Sequence, residues 1–125
     1  MTRAATETAI RLVSDLRVTH ATPGDVRRTL VRVAELLDPE VQDALLDVVR
    51  EALRAAVLHG PLPNDMHRRL GVLTEEVMEL AQATNDHAWK RPNAAAVRTE
   101  TVQVAAVALR MIPAHDRFTI TSPQK

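Results

Sequence analysis

A hydrophobic core that must be made almost without aromatic rings is the strongest constraint on this chain. Apolar residues make up 46% of the sequence, yet Trp89 and Phe118 are its only aromatic residues. The core therefore has to come from Leu, Val, Ala and Met. Ala and Leu are strong helix formers, whereas a core built from strands draws on aromatic residues and tolerates fewer alanines. An all-α fold follows. At 125 residues the chain has the size of one ordinary domain.

Charge and cysteine content narrow the function. Lys plus Arg equals Asp plus Glu at 16 each, so the formal charge is zero, and the basic excess of a nucleic-acid wrapper is missing. With no cysteine there is no disulfide and no thiolate ligand, so any metal has to be a hard one held by oxygen or imidazole. Arg3, Glu7 and Arg11 interrupt the apolar run a signal peptide needs, and no window has the length of a membrane span. The expectation is a cytoplasmic protein with neither a membrane nor a nucleic acid as partner.

Punctuation divides the chain into helices. Thr22-Pro23-Gly24-Asp25 offers a cap, and Val26, Leu30, Val33 and Leu37 recur at helical spacing until Asp38-Pro39. Asp38 and Pro39 open a second helix, with Val41, Leu45, Val48, Ala52 and Val57 on one face and Gly60-Pro61 as its stop. Pro63-Asn64-Asp65 starts a third, whose stripe of Leu70, Leu73, Val77, Leu80 and Ala81 ends near Asn85. Asp86 to Ala94 reads as a connecting loop. A fourth helix runs from about Ala95 to Ile112 and closes at Pro113. Ile10, Val13 and Leu16 add a helix within Met1 to Val18. The fold class is thus a bundle of four to five helices, with 1–40 an N-terminal helical extension, 41–113 the main helical domain and 114–125 a flexible tail.

Two of these helices carry carboxylates in a pattern. Glu76 and Glu79 lie one turn apart beside the apolar stripe, with Glu75 next to them. Carboxylates held this close repel each other unless a cation or a basic residue lies between them, as in oxygen-ligand Mg²⁺ sites; for an isolated Glu-Glu-x-x-Glu, however, a solvated helix face is the commoner reading. The run from Glu100 to Leu109 is apolar nearly all round, so it needs cover on more than one face, from its own bundle and from another subunit. Glu100 and Gln103 are its main polar features, one turn apart, and read either as a structural hydrogen-bonded pair or as ligands.

Taken together, Glu75-Glu76-x-x-Glu79, a 20-residue spacer and Glu100-x-x-Gln103 resemble the Glu-Glu-x-x-Glu … Glu-x-x-Asp signature of the all-α nucleoside triphosphate pyrophosphohydrolases. The surrounding residues, Leu73 to Ala81 and Arg98 to Leu109, are similar to short MazG-like members of that superfamily from phages and actinobacteria. The resemblance covers about residues 42 to 112. It implies Mg²⁺, or Mn²⁺, held by Glu76, Glu79, Glu100 and Gln103, with Glu75, Glu76 and Glu79 as the catalytic carboxylates and Glu75 either supporting the ligands from behind or activating water. It further implies hydrolysis of a nucleoside triphosphate to the monophosphate and pyrophosphate, as nucleotide-pool house-cleaning, by a homodimer or higher homo-oligomer. Gln103 departs from the signature, because an amide brings no negative charge to a metal.

Lys90, Arg91 and Arg98 are the cations nearest the motifs and Trp89 is the aromatic residue nearest them. They are candidate substrate-binding residues, with solvated charge and simple packing as the alternatives. The five histidines show no paired ligand spacing, so none is assigned to a metal. Arg27-Arg28 and Arg68-Arg69 read as surface charge. Two rival functions stay open: a degenerate relative that binds nucleotide or metal without hydrolysis, and a helical module serving only assembly.

Overall fold

The computed structural model describes residues 1–18 and 20–113, so the expected tail at 114–125, with His115 and Phe118, lies outside the described residues. The described residues form five helices and no strand: α1 (Arg3–Val18), α2 (Pro23–Leu36), α3 (Pro39–His59), α4 (Met66–Trp89) and α5 (Ala94–Met111). No helix among them is long and apolar enough to cross a membrane. The chain divides into two compact units, Met1–Ala44 and Leu45–Lys125. The division falls inside α3, a few residues past the 40/41 junction expected from the sequence.

In the first unit, α1 packs against α2. Thr22 caps α2 as expected: its hydroxyl accepts from the Asp25 backbone N–H at 3.2 Å, and the Asp25 carboxylate accepts from the Thr22 N–H at 2.9 Å. That same bond to the Thr22 backbone is the main reason the Asp25 carboxyl is held below its usual range. The C-terminal carbonyls of Ala34 and Leu37 are satisfied from outside the helix, by the Gln42 amide at 2.8 Å to each.

In the second unit, α4 and α5 pack along each other and make up most of the close helix contact. Asp65 caps α4 through the Arg68 N–H, and Asn93 caps α5 through the Ala96 N–H. The buried apolar residues are few and small: Ala52 and Ala56 on α3, Leu62 in the α3–α4 turn, and Ala106 and Val107 on α5. Much of the apolar pattern stays exposed. Leu46, Val49, Leu53 and Val57 run along α3 at spacings of three and four, and Met66, Leu70 and Val77 run along α4, all open to solvent.

Two expectations are corrected. The stretch from Asp86 to Trp89 is the last turn of α4, and the α4–α5 connection is only 90–93. Spacing of i, i+4 explains the extension, because the Gln82 amide donates to Asp86 at 2.8 Å and Asp86 pairs with Lys90 at 2.9 Å. The Arg68-Arg69 pair is not all surface charge, since Arg69 is completely buried. Neighbours on a helix point about 100° apart, so Arg69 turns inward while Arg68 faces water. Its guanidinium donates to the Pro63 carbonyl at 2.5 Å and the Pro113 carbonyl at 3.0 Å. Arg110, also buried, donates to the Gly60 carbonyl at 2.8 Å.

Gly60 ends α3 with φ at +72°, and nothing lies within 4 Å of where its Cβ would stand. The backbone conformation alone therefore sets the cost of a side chain there. Gly60→Ala is expected to destabilise the chain by about 1 kcal/mol, a fall of roughly 4 °C in Tm. An unchanged thermal melt would show that the turn relaxes to negative φ.

Candidate metal centre

The close pairing of α4 and α5 brings together carboxylates that 20 intervening residues separate in sequence. One oxygen from each of Glu76, Glu79 and Glu100 lies within 4.8 Å of the other two. Glu76 and Glu79 stand one turn apart on α4, and Glu100 faces them from α5. Glu76 and Glu100 are part-buried while Glu79 is exposed. The second oxygen of Glu76, Oε2, and Oε2 of Glu100 are both buried without a hydrogen-bond partner among the described residues.

Buried carboxylate oxygens without donors are costly, and three negative groups at this separation add repulsion. The effect falls on Glu76. Its carboxyl is pushed above the ordinary range, first by burial and then by the charges of Glu79, Glu100, Glu51 and Glu75. An all-oxygen donor set with orphaned oxygens fits a hard divalent cation such as Mg²⁺ or Mn²⁺, which takes carboxylate and water oxygens and removes the repulsion.

Two cavities meet at this cluster. A cleft of about 770 Å³ is lined by Glu79 and Glu100 and continues to Asp86, Lys90, Arg91 and Asn93. From Glu79 to Lys90 is about 16 Å along α4 at 1.5 Å per residue, so the cleft runs the length of the hairpin's looped end. Its two ends carry opposite charge. A smaller cavity of about 170 Å³ is lined by Glu51, Arg54, Glu76, Glu79, Gln103 and Arg110, among others. Glu79 borders both.

The remaining sequence candidates distribute as follows. Gln103 lies one turn beyond Glu100 and opens on the small cavity beside Glu76 and Glu79. Glu75 is exposed on the neighbouring position of α4, outside the three-carboxylate cluster but near enough to act on Glu76 by its charge. Lys90 and Arg91 line the cleft, Lys90 in its ion pair with Asp86. Arg98 pairs with Asp47 of α3 at 2.7 Å and borders a separate depression with Arg50 and Gln103. Trp89 is 85% exposed and is not part of the cleft wall.

Several site groups carried no signal in the sequence. His87 was read as a loop residue; its Nδ1 accepts from the Asn93 N–H at 2.8 Å and so fixes the short connection at the mouth of the cleft. Glu51 and Arg54 are spaced i, i+3 like Asp47 and Arg50 on the same helix. Only the packing of α3 beside α4 and α5 sets them apart.

Compared with protein families, with curated proteins and with solved structures, the chain matches none.

Proposed function

We propose that the chain is a MazG-like, Mg²⁺-dependent nucleoside triphosphate pyrophosphohydrolase, working in the cytoplasm as a homodimer or higher homo-oligomer. The observation that carries this reading is the cluster of Glu76, Glu79 and Glu100 with two orphaned oxygens, opening on a cleft whose other end is cationic. Its volume, about 770 Å³, falls within the range of small-molecule sites and suits a nucleotide.

When bound, Mg²⁺ or Mn²⁺ neutralises phosphate oxygens and acidifies a water, the two requirements of phosphoryl transfer that side chains meet poorly. Glu76, Glu79 and Glu100 hold it. Glu75, exposed beside the cluster, takes the proton of the attacking water. Lys90, once released from Asp86, and Arg91 pair with phosphate oxygens toward the loop. The water oxygen bonds to phosphorus at the α–β bridge as the bridging P–O bond breaks, so the products are the nucleoside monophosphate and pyrophosphate.

The oligomer rests on exposed surface. Stripes on both α3 and α4 are apolar and open, and the buried core is too slight to account for the apolar content of these helices. Self-association would cover them. Gln103 favours a second reading, a relative that binds nucleotide and metal without turnover, because it brings no charge to the cluster.

Pyrophosphate release from a panel of NTPs and dNTPs, including dUTP and oxidised bases, with Mg²⁺ or Mn²⁺ tests the reading. Metal-dependent release of pyrophosphate with the monophosphate is the expected result. A folded protein silent across the panel would overturn the enzymatic reading, and recovery of turnover in Gln103→Asp would then identify the missing charge as the cause.

A further inference from the structure

We propose that Glu51 of α3 is a fourth carboxylate of the metal centre, and that Arg54 holds its charge until a divalent cation arrives. This rests on the metal-centre reading and assigns to it a helix that the α4–α5 motif does not include.

The Glu51 side chain is only 18% exposed and faces the small cavity shared with Glu76, Glu79 and Gln103. Both its oxygens are taken by Arg54, Nε to Oε2 at 2.7 Å and Nη2 to Oε1 at 2.6 Å. An ordinary i, i+3 pair on a helix lies along the solvated face and is worth little. Here the acid is turned inward and the base is half-exposed, at 50%. The carboxyl of Glu76 registers the charge of Glu51 along with those of Glu79 and Glu100.

Glu76, which lines the same cavity, has a buried Oε2 without a partner among the described residues, and a buried oxygen of this kind needs a donor or an ion. Without the ion, four carboxylates would surround the wall between the two cavities, and Arg54 neutralises the one that can reach an internal base. A divalent cation makes that base unnecessary. Arg54 can then swing into solvent, and Glu51 turns to the centre, supplying from α3 the charge that Gln103 does not supply from α5.

Mn²⁺ affinity of the full-length protein, measured by calorimetry without nucleotide, tests this on four chains: native, Glu51→Gln, Arg54→Met and Glu76→Gln. Glu51→Gln is expected to weaken Mn²⁺ about tenfold, in line with the loss of one carboxylate near a metal. Arg54→Met is expected to tighten it several-fold, because the competing cation is gone; a merely structural ion pair would leave affinity unchanged or weaken it. Native affinity in Glu51→Gln, or no tightening in Arg54→Met, overturns the proposal while leaving the three-carboxylate centre intact if Glu76→Gln has lost the ion. Should Glu51→Gln fail to fold, Arg54→Met decides alone. No Mn²⁺ binding by the native chain would sink both this proposal and the centre itself.

Discussion

A Glu79→Ala chain is expected to release pyrophosphate at least about 1,000-fold more slowly than the native one, a loss of roughly 4 kcal/mol in transition-state stabilisation. Glu79 is the position where the effect should be cleanest. It belongs to the carboxylate cluster and borders both cavities, yet its own side chain is exposed. Removing an exposed side chain should move stability by no more than about 0.5 kcal/mol, so lost turnover cannot be blamed on unfolding. Steady-state release of pyrophosphate, read beside a thermal melt, checks both halves. Turnover within tenfold of native would remove Glu79 from the mechanism.

Glu76→Gln should behave in the opposite way on stability. Burial and the neighbouring carboxylates raise the Glu76 carboxyl in the folded chain above its ordinary value of 4.5. A raised acid contributes stability below that ordinary value and loses it as pH climbs through the raised one, so at neutral pH the folded, metal-free protein carries a charge it disfavours. Replacing that charge with an amide should stabilise the metal-free form at pH 7. Glu76 is only part-buried and solvent screens its repulsion, which limits the gain to about 1 kcal/mol, or roughly 4 °C.

The advantage should shrink as the pH falls through the raised value of the native carboxyl, which takes up its proton before the ordinary value of 4.5 is reached. Divalent metal should reverse the ranking. At 100 times its Kd a ligand stabilises by about 2.7 kcal/mol, so saturating Mn²⁺ should raise the native Tm by about 10 °C and leave Glu76→Gln nearly unmoved. A variant that melts below the native chain at pH 7 without metal would show that Glu76 is held by favourable contacts and not by repulsion.

The helices were legible where the signal is local. Thr22 with Asp25, Asp65, Gly60 and Pro113 mark ends that depend on a few adjacent residues, and those ends fell close to where the punctuation put them. Asp86 to Trp89 has no apolar period to mark it as helix, and the turn is held instead by the polar ladder of Gln82, Asp86 and Lys90. The burial of Arg69 leaves no mark either, because a charge pair in sequence does not say which partner faces inward.

The resemblance implies a shared site for Glu76, Glu79, Glu100 and Gln103, and the pairing of α4 and α5 brings the three glutamates together, with Gln103 on the adjoining small cavity. Glu51 could not be found that way. Its place depends on how α3 lies against the hairpin, a non-local packing choice that the i, i+3 spacing to Arg54 does not encode.

The buried arginines also set how stiffness is distributed along the hairpin. Arg69 and Arg110 tether the carbonyls of Gly60, Pro63 and Pro113, so the start of α4 and the end of α5 are fastened by bonds shielded from water. At the opposite end, the last turn of α4 is joined to the cap of α5 by a single exposed bond, from the Asn93 N–H to the His87 imidazole, while the Lys90–Asp86 ion pair stays within the end of α4. The looped end, which borders the cleft between Glu79 and Arg91, is therefore expected to exchange its backbone amides sooner than the end the arginines tie.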